Sequence, residues 1–171
     1  EKGVGQLIEA MSLVRDRVSD ARLLVAGQAH TIRDPHPEHL RRQVVELGLC
    51  EAVEFLGWRN DVERLMAACD VYAMPSLGEP FGLVYVEAMA MARPVVALAH
   101  GGALEIVVDG ETGLLSAPGD VEQLATNLVS ILDDPNRAAE MGRCGRERAY
   151  SRFAVERQAA EVTELYSLLT S

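Results

Sequence analysis

Two glutamates eight positions apart, Glu79 and Glu87, bracket an apolar stretch, and Glu87 is the single charge among the thirteen residues from Pro80 to Ala92. An unpaired buried charge is costly, so Glu87 is expected to meet a hydrogen-bond donor, with a bound ligand as the leading candidate. Pro80 suits the first turn of a helix, where its missing N–H costs nothing, and Gly82 lets a ligand approach the backbone closely. The amides of Gly82, Leu83 and Val84 would then face an anion with the positive end of the helix dipole behind them. Glu87 shares a face with Leu83 and Val84 and looks into the same crevice from one turn deeper. A carboxylate there repels phosphate but accepts two hydrogen bonds from a vicinal diol such as ribose. Glu79, in the loop before the helix, can grip hydroxyls on the far side of the phosphate. One site would thus hold sugar, diphosphate and ribose in order.

The elements that must position these residues follow from hydrophobic patterning. Short apolar runs alternate with segments of helical period, which indicates parallel βαβ units and an α/β fold with helices on both faces of the sheet. Strands are expected at Arg22–Ala26, Val53–Leu56, Asp70–Met74, Pro94–Leu98 and Gly113–Ser116, apolar nearly throughout as in a sheet covered on both sides. Helices are expected at Gly3–Arg17, His36–Leu47, Asp61–Ala68, Phe81–Ala92 and Ala103–Val107. Three more, at Val121–Leu132, Arg137–Tyr150 and Val155–Leu169, form a helical C-terminal extension. The last carries a stripe of Val155, Ala159, Val162, Tyr166 and Leu169 that should pack on a partner surface.

Composition narrows the function classes. A chain of 171 residues with 49% hydrophobic content reads as one globular domain, residues 1–171, and a net charge of −10 without a dense basic block argues against nucleic acid. Arg143 to Arg148 reads as a solvated helix face. The cysteines, Cys50, Cys69 and Cys144, have no C-x-x-C pairing and read as reduced core thiols of a cytoplasmic protein. No apolar run is long enough to cross a bilayer. No metal is expected: His36 and His39 lack a third ligand and read as helix-start polar residues, and there is no D-x-D motif. Asp133-Asp134-Pro135 reads as a turn ending one helix and capping the next.

The order of elements is unusual in one respect, because a helix comes where a βαβ series would place its first strand. In a sheet of order 3-2-1-4-5-6 the strand not accounted for would be the central one, and its neighbours would expose backbone edges. The expectation is a domain lacking its first strand, excised from a longer protein. A central gap would support this, and a complete six-strand sheet would oppose it.

The segment Glu79 to Glu87 resembles the E-x7-E motif of retaining glycosyltransferases of the GT-B fold, the glycosyl transferases group 1 family. Its surroundings are similar too: Glu1-Lys2-Gly3, Val25-Ala26-Gly27, Val53 to Gly57, Asp70 to Ser76, Gly101-Gly102 through Glu105 to Gly110, and Gly113-Leu114-Leu115. The resemblance covers essentially the whole chain. It implies the C-terminal, donor-binding half of two Rossmann-like domains, with a nucleoside diphosphate sugar as donor, no other cofactor, and an N-terminal acceptor domain as the partner that is missing. It further implies that Lys2 neutralises the diphosphate, that Glu79 binds the transferred sugar near the reacting carbon, and that Phe81, Gly82, Leu83 and Val84 offer backbone contacts to sugar and phosphate. Glu87 would hold the ribose, Gly27 would close the second strand, and Arg59 and Arg64 would flank the base. The implied chemistry is metal-independent sugar transfer with retention.

Two departures concern the loops beside the sugar. Gln28-Ala29-His30 follows Gly27 where the family has glycine-x-glycine, and Leu104 stands where it has proline, so the donor sugar is left open. The acceptor and any peripheral membrane association of a longer parent are also left open. The alternatives are another GT-B enzyme such as an epimerase, or a non-catalytic sugar-nucleotide-binding or interaction module.

Overall fold

A computed structural model describes residues 2–27 and 36–169. The segment Gln28 to Pro37, expected to be a long polar loop, therefore lies largely outside the described residues.

Helices and strands alternate through the first two thirds of the chain: α1 (Val4–Arg15), β1 (Leu23–Ala26), α2 (His36–Glu46), β2 (Val53–Gly57), α3 (Val62–Ala68), β3 (Tyr72–Met74), α4 (Leu83–Ala90), β4 (Val95–Leu98), α5 (Ala103–Ile106) and β5 (Gly113–Ser116). The helices α6 (Val121–Leu132), α7 (Pro135–Arg152) and α8 (Val155–Leu169) follow. Asp120 caps α6 by accepting from the Gln123 N–H, and Asp134 caps α7 by accepting from the Arg137 N–H, with Pro135 in the first turn. The Asp133-Asp134-Pro135 turn is as expected, and it starts α7 two residues earlier than the pattern suggested.

All strand pairs are parallel, but they fall into two groups. β1 pairs with β2, and β3, β4 and β5 pair in that order. Among the described residues no strand joins β1 to β3. The break falls where a 3-2-1-4-5-6 sheet would have its central strand.

Two apolar layers cover the sheet. On one side α1, α2 and α6 pack with Val96 and Leu114, and on the other α4, α5 and α7 pack with Val95 and Ala97. β4 is buried at every position, as a strand covered on both faces should be. β1 is not: its burial alternates, and Leu24 is 47% exposed. The expectation of full coverage fails there because β1 borders the break.

Three further expectations are corrected. Cys50 is exposed and Cys69 and Cys144 are half-buried, so none is a core thiol, although all are free. Arg148 is not part of a solvated face. Its guanidinium donates to the carbonyls of Ile106 and Glu105 at 2.8 and 2.7 Å and lies over the Phe153 ring, tying α7 to α5. Val155, Val162 and Tyr166 of α8 are exposed, against the packed stripe expected.

Candidate functional site

The carboxyl ends of parallel strands are where an open α/β sheet gathers its loops, and β3 delivers the chain there to Pro75. From Ser76 to Gly82 the backbone wanders before α4 begins at Leu83, two residues later than expected. Pro80 therefore stands ahead of the helix. The delay has a local cause: Gly82 takes a left-handed conformation, φ 92°, as the residue before the first turn. A Cβ there would come within 2.6 Å of the Tyr85 ring, so packing as well as backbone demands glycine at 82.

Tyr85 anchors this turn. Its side chain is fully buried, and its hydroxyl donates to the Met74 carbonyl at 3.0 Å, joining the end of β3 to the start of α4. Tyr72 meets it edge to face, with ring centroids 6.4 Å apart. Burial, and then the charge of Glu79, push the Tyr85 phenol up to about 12. Burial pushes Tyr72 up as well, followed by the charges of Tyr85, Glu87 and Glu79. An unfolded chain releases these protons near their ordinary value of about 10, so the stability Tyr85 contributes is present below that pH and lost as pH rises through about 12, and Tyr72 acts in the same direction. Thermal melts between about pH 9 and 12 should show a falling Tm, and Tyr85→Phe should reduce the slope by about one proton.

The Glu79 loop is held from above by a second loop. Gly102 donates its N–H to the Glu79 carbonyl at 3.1 Å. A Cβ on Gly102 would lie 1.9 Å from the Phe81 carbonyl oxygen, and one on Gly101 2.8 Å from the Glu79 carbonyl oxygen. The paired glycines thus permit two backbones to touch. Reading the residues for chemistry missed this role, and missed Tyr85. The available signals were two adjacent glycines after an apolar strand and a hydroxyl in a helix whose other residues, Glu87 apart, are apolar.

Lys2 and Glu79, far apart in sequence, are brought together: the Lys2 ammonium donates to Glu79 Oε2. Glu79 is 15% exposed and Lys2 55%, so the pair sits at a surface with its carboxylate end drawn in. Beside it the N–H groups of Gly82, Leu83 and Val84 have no acceptor among the described residues, as a helix N-terminus leaves them. Phe81 and Leu83 are 54% and 62% exposed at the rim.

Glu87 departs from expectation in its exposure alone, since the donor expected for it was a bound ligand. It is exposed and has no ion-pair or hydrogen-bond partner among the described residues, so water rather than a buried donor carries its charge. It nevertheless stands close enough to Tyr72 for its charge to raise that phenol.

A groove of about 2080 Å³ runs between β1 and β3, and Lys2, Gly27, Arg59, Gly78 and Val84 line it, with Trp58 beside Arg59. Trp58 is 66% exposed, which excludes a core packing role. The Arg59 guanidinium is engaged by Asp61 through two hydrogen bonds, at 2.8 and 2.7 Å. That pairing lowers Asp61 and raises Arg59 from their ordinary values. Arg64 sits on the exposed face of α3 and does not line the groove. Among the described residues no cluster of three His, Cys, Asp or Glu is arranged to hold a metal ion, and no helix is long and apolar enough to cross a membrane.

This arrangement resembles known proteins. The chain is 37% identical over 175 residues to a GDP-mannose-dependent α-(1-6)-phosphatidylinositol monomannoside mannosyltransferase of Mycolicibacterium smegmatis, covering 97% of this chain and 44% of that protein. It is 35% identical over 168 residues to a glycogen synthase of Mycobacterium tuberculosis, covering 97% and 39%. It spans less than half the length of these curated relatives. Among solved structures, HepE of Anabaena in complex with UDP-glucose superposes with a TM-score of 0.89 at 35% identity, over 97% of this chain and 45% of that one. The C-terminal domain of a glycosyl transferase group 1 family protein, LpcC of Francisella tularensis, superposes with a TM-score of 0.83 at 29% identity, over 90% and 80%. Residues 1–134 match the family described as "Glycosyl transferases group 1". The architecture is the C-terminal half of a GT-B fold, and the chain belongs to the glycosyl transferases group 1 family.

Proposed function

We propose that this chain is the nucleotide-sugar-binding half of a retaining glycosyltransferase that moves a sugar from a nucleoside diphosphate to an acceptor hydroxyl. The observation that carries this reading is the Lys2–Glu79 pair set against the unpartnered amides of Gly82, Leu83 and Val84. The diphosphate lies on the α4 N-terminus and Lys2, Glu79 turns to the hydroxyls of the transferred sugar, and Glu87 accepts from the ribose diol.

The main barrier to transfer is charge developing on the departing diphosphate. Preorganised amides and an ammonium oppose that charge without needing to reorganise at the moment of reaction. No step in this scheme requires a metal. The acceptor site belongs to the partner domain of a longer protein.

Relatives are described as GDP-mannose-dependent or as complexes with UDP-glucose, so both donors are the natural probes. Calorimetry should detect weak binding of at least one of them, and Glu87→Ala should weaken it by about 10- to 100-fold, since a hydrogen bond to a charged group contributes roughly 1.5–3 kcal/mol. Unchanged affinity in Glu87→Ala, or no binding of either donor by a longer parent protein, would refute the reading. This chain alone should transfer no sugar, and turnover by it would contradict the assignment of the acceptor site.

A further inference from the structure

We propose that Arg148 of α7 is a positioning residue for the Glu79 turn: its guanidinium fixes α5, and α5 in turn fixes the backbone from Glu79 to Gly82. That this turn holds the donor rests on the proposed function, whereas the contacts that place it do not.

α5 cannot hold its own position. It is a single turn of four residues, Ala103–Ile106, and a helix that short has no independent stability. The N–H groups of Ile106 and Val107 take the carbonyls of Gly102 and Ala103, which leaves those of Glu105 and Ile106 as the open end of the helix. Arg148 closes it. Its Nε donates to the Ile106 carbonyl at 2.8 Å and its Nη2 to the Glu105 carbonyl at 2.7 Å. Two donors in one rigid plane thus meet two successive carbonyls, a geometry that lysine cannot copy.

The arginine has a fixed base. α7 is seated on α4 closely enough that a Cβ on Gly145 would stand 3.3 Å from the Met89 Cγ. The guanidinium is steadied as well, lying 5.7 Å from the centroid of the Phe153 ring. Arg143 of the same helix pairs instead with Glu140 and Glu147 at the surface.

From that base α5 reaches the site at three points. The Gly102 N–H donates to the Glu79 carbonyl, the Gly102 Cα lies against the Phe81 carbonyl, and the Ile106 Cδ1 would be 3.3 Å from a Cβ on Gly82. Ile106 is buried, and it joins the two ends of the linkage: its carbonyl accepts from Arg148 while its side chain stands beside Gly82. A shift of α5 is therefore a shift of Glu79 against the α4 amides.

Three variants test this. Arg148→Met removes both donors and keeps the apolar stem, Arg148→Lys keeps one ammonium, and Leu128→Ala loosens the buried layer on the other face of the sheet. Amide exchange at Gly102 reports its bond to Glu79 and needs no nucleotide. Measured at an equal interval below each Tm, that exchange should quicken by about tenfold in Arg148→Met, less in Arg148→Lys, and not in Leu128→Ala. Calorimetric affinity for UDP-glucose or GDP-mannose should fall by about tenfold in Arg148→Met and be unchanged in Leu128→Ala. Equal changes in Arg148→Met and Leu128→Ala, in either readout, would overturn the proposal and reduce Arg148 to a general stabiliser. If Arg148→Met does not fold, Arg148→Lys carries the same comparison. Binding of neither donor by the unsubstituted chain or its longer parent would count against the proposed function, and exchange at Gly102 would still decide whether Arg148 places the turn.

Discussion

Gly102→Ala is expected to lower stability by about 1–3 kcal/mol, and to reduce donor affinity of the folded molecule by about tenfold or more. The new methyl would sit 1.9 Å from the Phe81 carbonyl oxygen and 2.9 Å from its Cα, and backbone atoms cannot rotate away as a side chain can. Backbone strain is not the cause, because Gly102 has an ordinary right-handed φ of −59°. Neither loop is free to yield: Gly102 donates to Glu79, and its own carbonyl accepts from Ile106, both at 3.1 Å. The separation must come from moving the segment that carries Glu79 and Phe81. For a domain of this size the stability loss corresponds to a Tm fall of about 2–12 °C. Calorimetric titration with UDP-glucose below that Tm separates the two effects.

Gly142→Ala should cost a similar amount of stability while leaving the affinity of the folded molecule unchanged. Alanine normally favours a helix over glycine by about 0.5–1 kcal/mol, so propensity alone predicts a gain. The contact reverses the sign, because the added Cβ would stand 2.1 Å from the Ala92 carbonyl oxygen. That carbonyl is held in place by a turn in which Ala92 adopts φ 55° and donates to Met89, and Arg93 donates to Ala88. α7 must therefore lift off α4 at the end remote from Glu79. A pair of variants with equal melting loss and unequal binding loss would place the donor at the Glu79 loop. Equal binding loss in both would attribute the Gly102 effect to general loosening.

Local signals made much of this legible before any coordinates. α6 begins and ends where its pattern placed it, and β5 has the expected bounds. The two-sided burial of β4 follows from a run with no polar residue. Lys2, Gly27 and Arg59, singled out by the family resemblance rather than by local signals, line one groove with Val84, and Lys2 meets Glu79. Glu87 shows the limit of the method. An apolar segment was read as a buried one, yet Phe81, Leu83 and Glu87 stand at an exposed rim because α4 turns only one side to the core. The start of α4 was misplaced because Pro80 gives a strong local signal, whereas the left-handed Gly82 answers to a ring three residues ahead. Arg148 was read with its arginine-rich neighbours because its acceptors, Glu105 and Ile106, lie more than forty positions away. Contacts of that kind have no trace in local spacing.

The ion pair between Lys2 and Glu79 gives the ligand-free site its own counter-ion. An anion that reaches Lys2 displaces a carboxylate, and its gain is only the difference between the two partners. A monovalent salt ion gains little by that exchange, since exposed pairs of unit charge differ by at most about 1 kcal/mol. A group with several charged oxygens, long enough to touch the α4 amides as well, gains at both places. Rejection of chloride and similar ions is then a property of the resting molecule, set by competition before any ligand is recognised.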